Sequence, residues 1–90
     1  MKHHTSRSFR DGLAAAPEAV RAQAQQAFEM LRRDPRHPSL QLKRVGKDGL
    51  WSVRANRSFR ELGDDVEGGI LWFWFGEHAV YEQMISGRRG

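Results

Sequence analysis

The residues whose types and spacing suit them to chemistry are Arg54, Arg60, His78 and Tyr81. Arg54 and Arg60 alternate with Trp51, Val53 and Phe59 in two strand-like segments. If that apolar set faces a core, both guanidiniums turn to the opposite face together. Two planar forks on one face form a cradle for a phosphate through charge-assisted hydrogen bonds. The alternative is plain: they are outward strand residues whose stems cover the sheet. His78 and Tyr81 lie three apart, so on a helix they occupy neighbouring positions of one face. A histidine that titrates near neutrality and a phenol beside cations are proton-transfer groups. Otherwise they are a helix-start histidine bonded to backbone and a tyrosine packed on the sheet edge. His3, His4 and His37 have no metal-ligand spacing with carboxylates, and the chain has no cysteine. Thiolate sites and disulfides are thereby excluded, and no metal or cofactor is expected.

The charge distribution says what such a site would meet. The formal net charge is +4, but residues 32–60 alone carry nine Lys/Arg against Asp34 and Asp48, a net +7. Residues 61–90 are acidic by comparison, with Arg88 and Arg89 against six carboxylates. Twelve of the fifteen basic residues are arginine, the side chain fitted to bidentate phosphate and carboxylate contacts. Lys43, Arg44 and Arg57 fall in the basic block and are expected to extend an RNA- or phosphate-binding surface around the arginine pair. The block favours an anionic partner, either nucleic acid or an acidic protein segment; the alternative is a solvated basic face with no partner.

The elements that must hold these residues follow from periodicity. Val20, Ala24, Ala27, Phe28 and Leu31 form one stripe at helical spacing in Pro17 to Arg33. Pro17 suits the first turn, Glu18 and the pair Arg32–Arg33 suit the two ends of the dipole, and Pro35 stops the helix. Upstream, Thr5 or Ser6 caps a shorter helix carrying Phe9 and Leu13 and closing near Gly12–Ala16. Together they read as a helical hairpin. Residues 1–5 are either a short strand or a loose arm. Beyond Pro38 the period becomes two: strands are expected near 40–45, 50–56, 58–62 and 70–75. Gly46 to Gly49 is the first hairpin turn, and Gly63 to Gly69 reads as a polar loop. Ile70 to Phe75 is apolar on both faces, which marks a central strand. His78 to Ser86 supplies a short last helix. The fold class is α+β: an N-terminal helical hairpin packed on a small twisted antiparallel sheet, closed by a short C-terminal helix.

Ninety residues make a single domain, 1–90, with a small core. The longest apolar run, Ile70 to Phe75, falls far short of the roughly 20 residues that cross a bilayer. No apolar signal segment follows Met1-Lys2-His3-His4, so a cytoplasmic protein with no membrane partner is expected.

Several stretches carry a family resemblance. They are Asp34-Pro35-Arg36-His37-Pro38-Ser39-Leu40-Gln41-Leu42-Lys43-Arg44-Val45, Trp51-Ser52-Val53-Arg54, the pair Phe59-Arg60, and Trp72-Phe73-Trp74-Phe75-Gly76 followed by His78 and Tyr81. In this order, over about residues 5–85, the chain resembles RelE/ParE-superfamily toxins of bacterial type II toxin–antitoxin systems. The resemblance implies a RelE-like fold and a cognate antitoxin that wraps the toxin. It also implies one of two activities. RelE-like and HigB-like members are metal-independent, ribosome-dependent endoribonucleases (mRNA interferases) that cut mRNA and inhibit translation. Their sheet basic residues match Arg54 and Arg60 by position, and their pair after the last strand matches His78 and Tyr81. ParE-like members lack that constellation and poison DNA gyrase. A third reading is a degenerate member kept as an antitoxin-binding module.

The chain departs from its relatives at three places. Glu61 stands where many carry alanine, Glu77 where serine or threonine is commoner, and Ser52 where a strand lysine is usual. Glu61 falls on the inward parity of its strand, where a carboxylate is costly unless paired. It is expected either at an edge or neutralising Arg54 or Arg57.

Overall fold

The strand that is apolar on both faces becomes the spine of the molecule. In the computed structural model, which describes residues 2–86, the chain runs β1 (Lys2–Thr5), α1 (Arg7–Ala15), α2 (Glu18–Arg33), β2 (Lys43–Val45), β3 (Leu50–Arg54), β4 (Phe59–Val66), β5 (Gly69–Glu77) and α3 (His78–Ser86). Arg88 and Arg89 lie outside the described residues. The five strands form one sheet in the order β1-β5-β4-β3-β2. Among the described residues no helix is long and apolar enough to cross a membrane.

The class is α+β as expected, but the sheet is mixed rather than antiparallel. Three consecutive antiparallel pairs join β2 to β5, and β1 then adds parallel to the free edge of β5, Lys2 opposite Gly69 and Thr5 opposite Trp72. Of the two readings of residues 1–5, the strand is the one formed over the described part, Lys2–Thr5. The reason lies in β5, whose second edge presents unpaired backbone groups that β1 satisfies. Gly69 lets the Lys2 backbone approach so closely that no β-carbon fits between them.

Three strand boundaries also differ. Instead of a strand from residue 40, Pro38–Leu40 forms a 3₁₀ turn capped by the His37 ring, and Gln41 takes a left-handed conformation (φ 48°) before β2 begins. Pro38 has no N–H for a ladder, and Leu40 is drawn into the core instead. The strand expected over 50–56 ends at Arg54, where the amides of Ala55 and Asn56 turn back onto the Phe59 carbonyl. The expected loop from Gly63 to Gly69 is mostly strand, since β4 runs on to Val66. A bulge between Leu62 and Gly63 permits this, because Leu62 pairs with Trp74 and Gly63 with Trp72, leaving Phe73 extra.

The bulge also builds the core. It rotates β5 so that Trp72 and Phe75, three apart, both face α1 and α2, with Val53, Ala55 and Ile70 beside them. A β-carbon on Gly63 would sit 2.7 Å from the Trp72 ring, so glycine is what lets the indole lie across β4. Helix α1 is capped by Ser6, whose hydroxyl accepts the Phe9 amide at 3.1 Å, and it sets the Phe9 ring edge-on against Phe75. Gly12 brings it within 2.7 Å of the Phe75 carbonyl, measured to where a β-carbon would stand. Helix α2 follows directly after Ala16–Pro17 and buries Ala24 and Leu31, with Val20, Ala27 and Phe28 half-buried. The opposite face of the sheet carries the row Ser52, Leu62 and Trp74, and α3 covers it. The Ser52 hydroxyl donates to the Tyr81 hydroxyl at 3.0 Å, which ties α3 to that face.

Candidate functional site

Arg54 and Arg60 are direct cross-strand partners, and Arg60 in turn faces Gly76 on β5. Opposed residues on neighbouring strands stand about 4.5–5.5 Å apart, so the two guanidiniums share one end of the face that α3 occupies. Arg60 is half-buried and folds back on the β3–β4 turn, donating to the carbonyls of Asn56 at 2.7 Å and Phe59 at 3.0 Å. Burial first and the neighbouring Arg54 charge second lower its pKa from the usual arginine value. Tyr81 and Glu82 act in the other direction, which places both near the Arg60 charge. Arginine remains cationic throughout. Among the described residues neither guanidinium forms an ion pair, although Glu82 acts on Arg60, so the two adjacent, partly desolvated cations have the chemistry to attract an anion.

Helix α3 brings up the remaining groups. Its first residue is fixed by the His78 amide donating to the Ser58 carbonyl at 2.8 Å. The His78 and Tyr81 rings lie 5.5 Å apart, as their helical spacing requires. The His78 Nε2 is 3.2 Å from the Glu82 carboxylate, and both side chains are about half exposed. Tyr81 is buried, its hydroxyl turned into the sheet toward Ser52. The four residues therefore gather at one end of one face, with His78 open to solvent and Tyr81 enclosed.

The outer basic residues divide. Lys43 and Arg57 are exposed. Arg44 is engaged: it pairs with Asp65 at 2.7 Å and stacks on Trp51 at 3.9 Å, while the Trp51 indole N–H also reaches Asp65 at 2.9 Å. Hydrogen bonds from Arg44 and Trp51 hold the Asp65 carboxyl below its ordinary value. Glu77 is exposed at the end of β5. Glu61 neither sits at an edge nor neutralises Arg54 or Arg57. It points to the other face, is fully buried, and its Oε1 has no hydrogen-bond partner among the described residues. Parity sends it there because it stands between Val53 and Phe75, both core residues.

Two contributors escaped the sequence reading. Glu82 was legible as the i+4 neighbour of His78, a spacing at which opposite charges meet on a helix. Ser52 shares the parity of Arg54, but its bond to Tyr81 depends on where α3 crosses, which spacing does not show.

Comparison with known proteins places the chain, though not the arrangement of these side chains, in a family. Among curated proteins none matches the sequence. The fold is similar to the crystal structure of YafQ from E. coli strain BL21(DE3), with a TM-score of 0.71 at 8% identity, covering 91% of this chain and 98% of that one. It is likewise similar to the RelB-RelE antitoxin-toxin complex from Methanococcus jannaschii (TM-score 0.68, 13% identity, 88% and 95% covered). A copper-bound mutant toxin from Helicobacter pylori also shares it (TM-score 0.63, 12% identity, 89% and 97% covered). At these identities the structures speak for the fold, whereas the ParE-like toxin domain matches the sequence itself over residues 18–83. On that match the chain belongs to the ParE-like toxin domain family, within the RelE/ParE superfamily of toxins from toxin–antitoxin systems.

Proposed function

We propose that the protein is a metal-independent, ribosome-dependent mRNA endoribonuclease that inhibits translation in the cytoplasm and is held in check by a cognate antitoxin. The observation that carries this reading is the Arg54–Arg60 cross-strand pair with the first residue of α3, His78, anchored to Ser58 beside it. Attack of a ribose 2′-oxygen on the adjacent phosphate builds negative charge on the phosphorane oxygens. Preorganised cations stabilise that charge more than the ground state. Arg54 and Arg60 take this role. His78, oriented by Glu82, is the exposed group able to move a proton. Tyr81 supports the His78 ring and holds α3 through Ser52. Lys43 and Arg57 guide the RNA backbone, whereas Arg44, expected beside them, stands opposite Trp51 on the other face of the sheet and takes no part.

The match to the ParE-like domain supports a second reading, a non-catalytic toxin that binds DNA gyrase. The enclosed Tyr81 hydroxyl fits it, since a buried phenol cannot reach a substrate. Controlled expression separates the two. The ribonuclease reading expects arrested translation with cut ribosome-bound messages, and Arg60→Ala should slow cleavage about 10²–10³-fold. DNA double-strand breaks with intact messages, unaltered by Arg60→Ala, would replace it with the gyrase reading.

A further inference from the structure

A cleft of about 370 Å³ opens between α1 and α2, on the face of the sheet opposite Arg54 and Arg60. Its walls include Phe9 and Leu13 from α1 and Ala24 and Phe28 from α2. Glu61 lies at its sheet side, 1% exposed, with Oε1 unpartnered among the described residues. Buried carboxyl oxygens are rarely left without a partner, because the desolvated acceptor gains nothing in return. Here an apolar residue of similar length would fill the same place at no such cost.

The charged side chains around the cleft do not supply the partner. Arg10 of α1 is tied to Thr5, donating to its carbonyl at 2.7 Å and its hydroxyl at 3.2 Å. Arg32 of α2 lies over the Phe28 ring at 5.3 Å. Glu29 of α2 adds a second acid to the lining, and the cross-strand neighbours Val53 and Phe75 are apolar. We propose that this cleft is a binding site for an ammonium, amidinium or guanidinium group on an apolar stem, with the Glu61 carboxylate as its counter-charge. The volume falls in the range of small-ligand pockets. The apolar walls match a stem, and a forked cation satisfies both carboxylate oxygens at once. Burial pushes the Glu61 carboxyl up to about 8, so at neutral pH it holds a proton that the arriving cation must displace. The same chemistry is offered by a free organic cation or by a basic side chain of a partner protein. Neither depends on the ribonuclease reading, because the cleft and the arginine pair lie on opposite faces.

The test is calorimetric titration of the full chain with benzamidine, with benzamide as its neutral counterpart, in two buffers of different ionisation enthalpy. A blocked tripeptide with arginine between two leucines forms the second arm. The proposal expects saturable binding of a cation, benzamidine at least about tenfold tighter than benzamide, and release of nearly one proton per complex at pH 7. Tighter binding of the tripeptide than of benzamidine assigns the site to a protein side chain, and the reverse to a small molecule. Glu61→Gln should weaken binding about tenfold or more. Gln25→Trp, at an exposed position on the lining, should do the same by closing the mouth while leaving the carboxyl untouched. Equal affinity for benzamide, unaltered binding in folded Gln25→Trp, or no saturation up to about 10 mM of either cation overturns it.

Discussion

Replacing Glu61 by glutamine should shift the balance of stability toward the variant, by an amount that grows with pH. In the unfolded chain the carboxyl titrates near 4.5, whereas burial raises it to about 8 in the fold. Between those values the folded protein keeps a proton that the unfolded chain has released, so unfolding is favoured progressively as pH rises. The stability tied to this group is fully present below pH 4.5 and lost through pH 8. Each pH unit across that window is worth about 1.4 kcal/mol, so the loss by pH 7 is on the order of 3 kcal/mol. Glutamine keeps the shape and carries no titration. Its own unmet amide hydrogens cost about 1–3 kcal/mol at every pH. The stability difference between the variant and the wild type should therefore shift toward the variant by about 3 kcal/mol between pH 4.5 and 7. In a domain of this size that is a relative gain of more than about 10 °C in melting temperature. Urea unfolding of both proteins at half-unit pH steps measures the difference directly. A difference that stays flat from pH 4.5 to 8 would refute the reasoning, since it would mean that Glu61 finds a partner or solvent in the fold.

Three further outcomes are expected. Gly63→Ala forces a β-carbon against the Trp72 ring and Ile70, and should cost about 1–3 kcal/mol in denaturant unfolding. His3 accepts the Trp72 indole N–H at 3.1 Å, and burial, then the Arg32 charge, lower its pKa from 6.5. Its contribution is present above 6.5 and fades as pH falls below that value, so His3→Gln should flatten the acid side of the stability profile. Asp65→Ala removes an exposed partner of Arg44 on the face away from Arg54 and Arg60, so thermal unfolding and message cleavage should both be nearly unchanged.

Most of the fold was legible because its signals were local. The stripe from Val20 to Leu31, the Ser6 cap and the turn from Gly46 to Gly49 each reside within a few residues, and each formed where periodicity put it. What escaped depended on distant partners. Four polar and basic residues at the N-terminus carry little strand signal, and only the open edge of β5 makes a strand of Lys2–Thr5. Gly63 to Val66 looked like loop because Asp64 and Asp65 are exposed, yet an exposed edge of a ladder is polar for the same reason a loop is. The bulge at Phe73 left no mark in a run of six apolar residues, although it decides which of them face the helices.

The site was legible to the extent that alternation governs it. Arg60 and Glu61 are consecutive, so a strand must send them to opposite faces, and once Phe59 is placed toward the helices only one assignment remains. That argument put Arg60 on one face with Arg54 and gave Glu61 inward parity, although an edge place or a pairing with Arg54 or Arg57 was expected to relieve it, and neither formed. Alternation gives direction but not depth. Whether an inward carboxyl finds a partner depends on how far apart α1 and α2 stand over β4, and that spacing is set by Gly12 against β5 and by the Phe9 and Phe28 rings. The same limit applies to Tyr81, which helical spacing put beside His78 without showing that its hydroxyl would turn toward Ser52. One strand thus carries a cation toward the face proposed to meet phosphate and a carboxyl toward a cleft between helices. Substitutions at these adjacent positions should separate cleanly, Arg60 changing activity and Glu61 changing stability and the cleft.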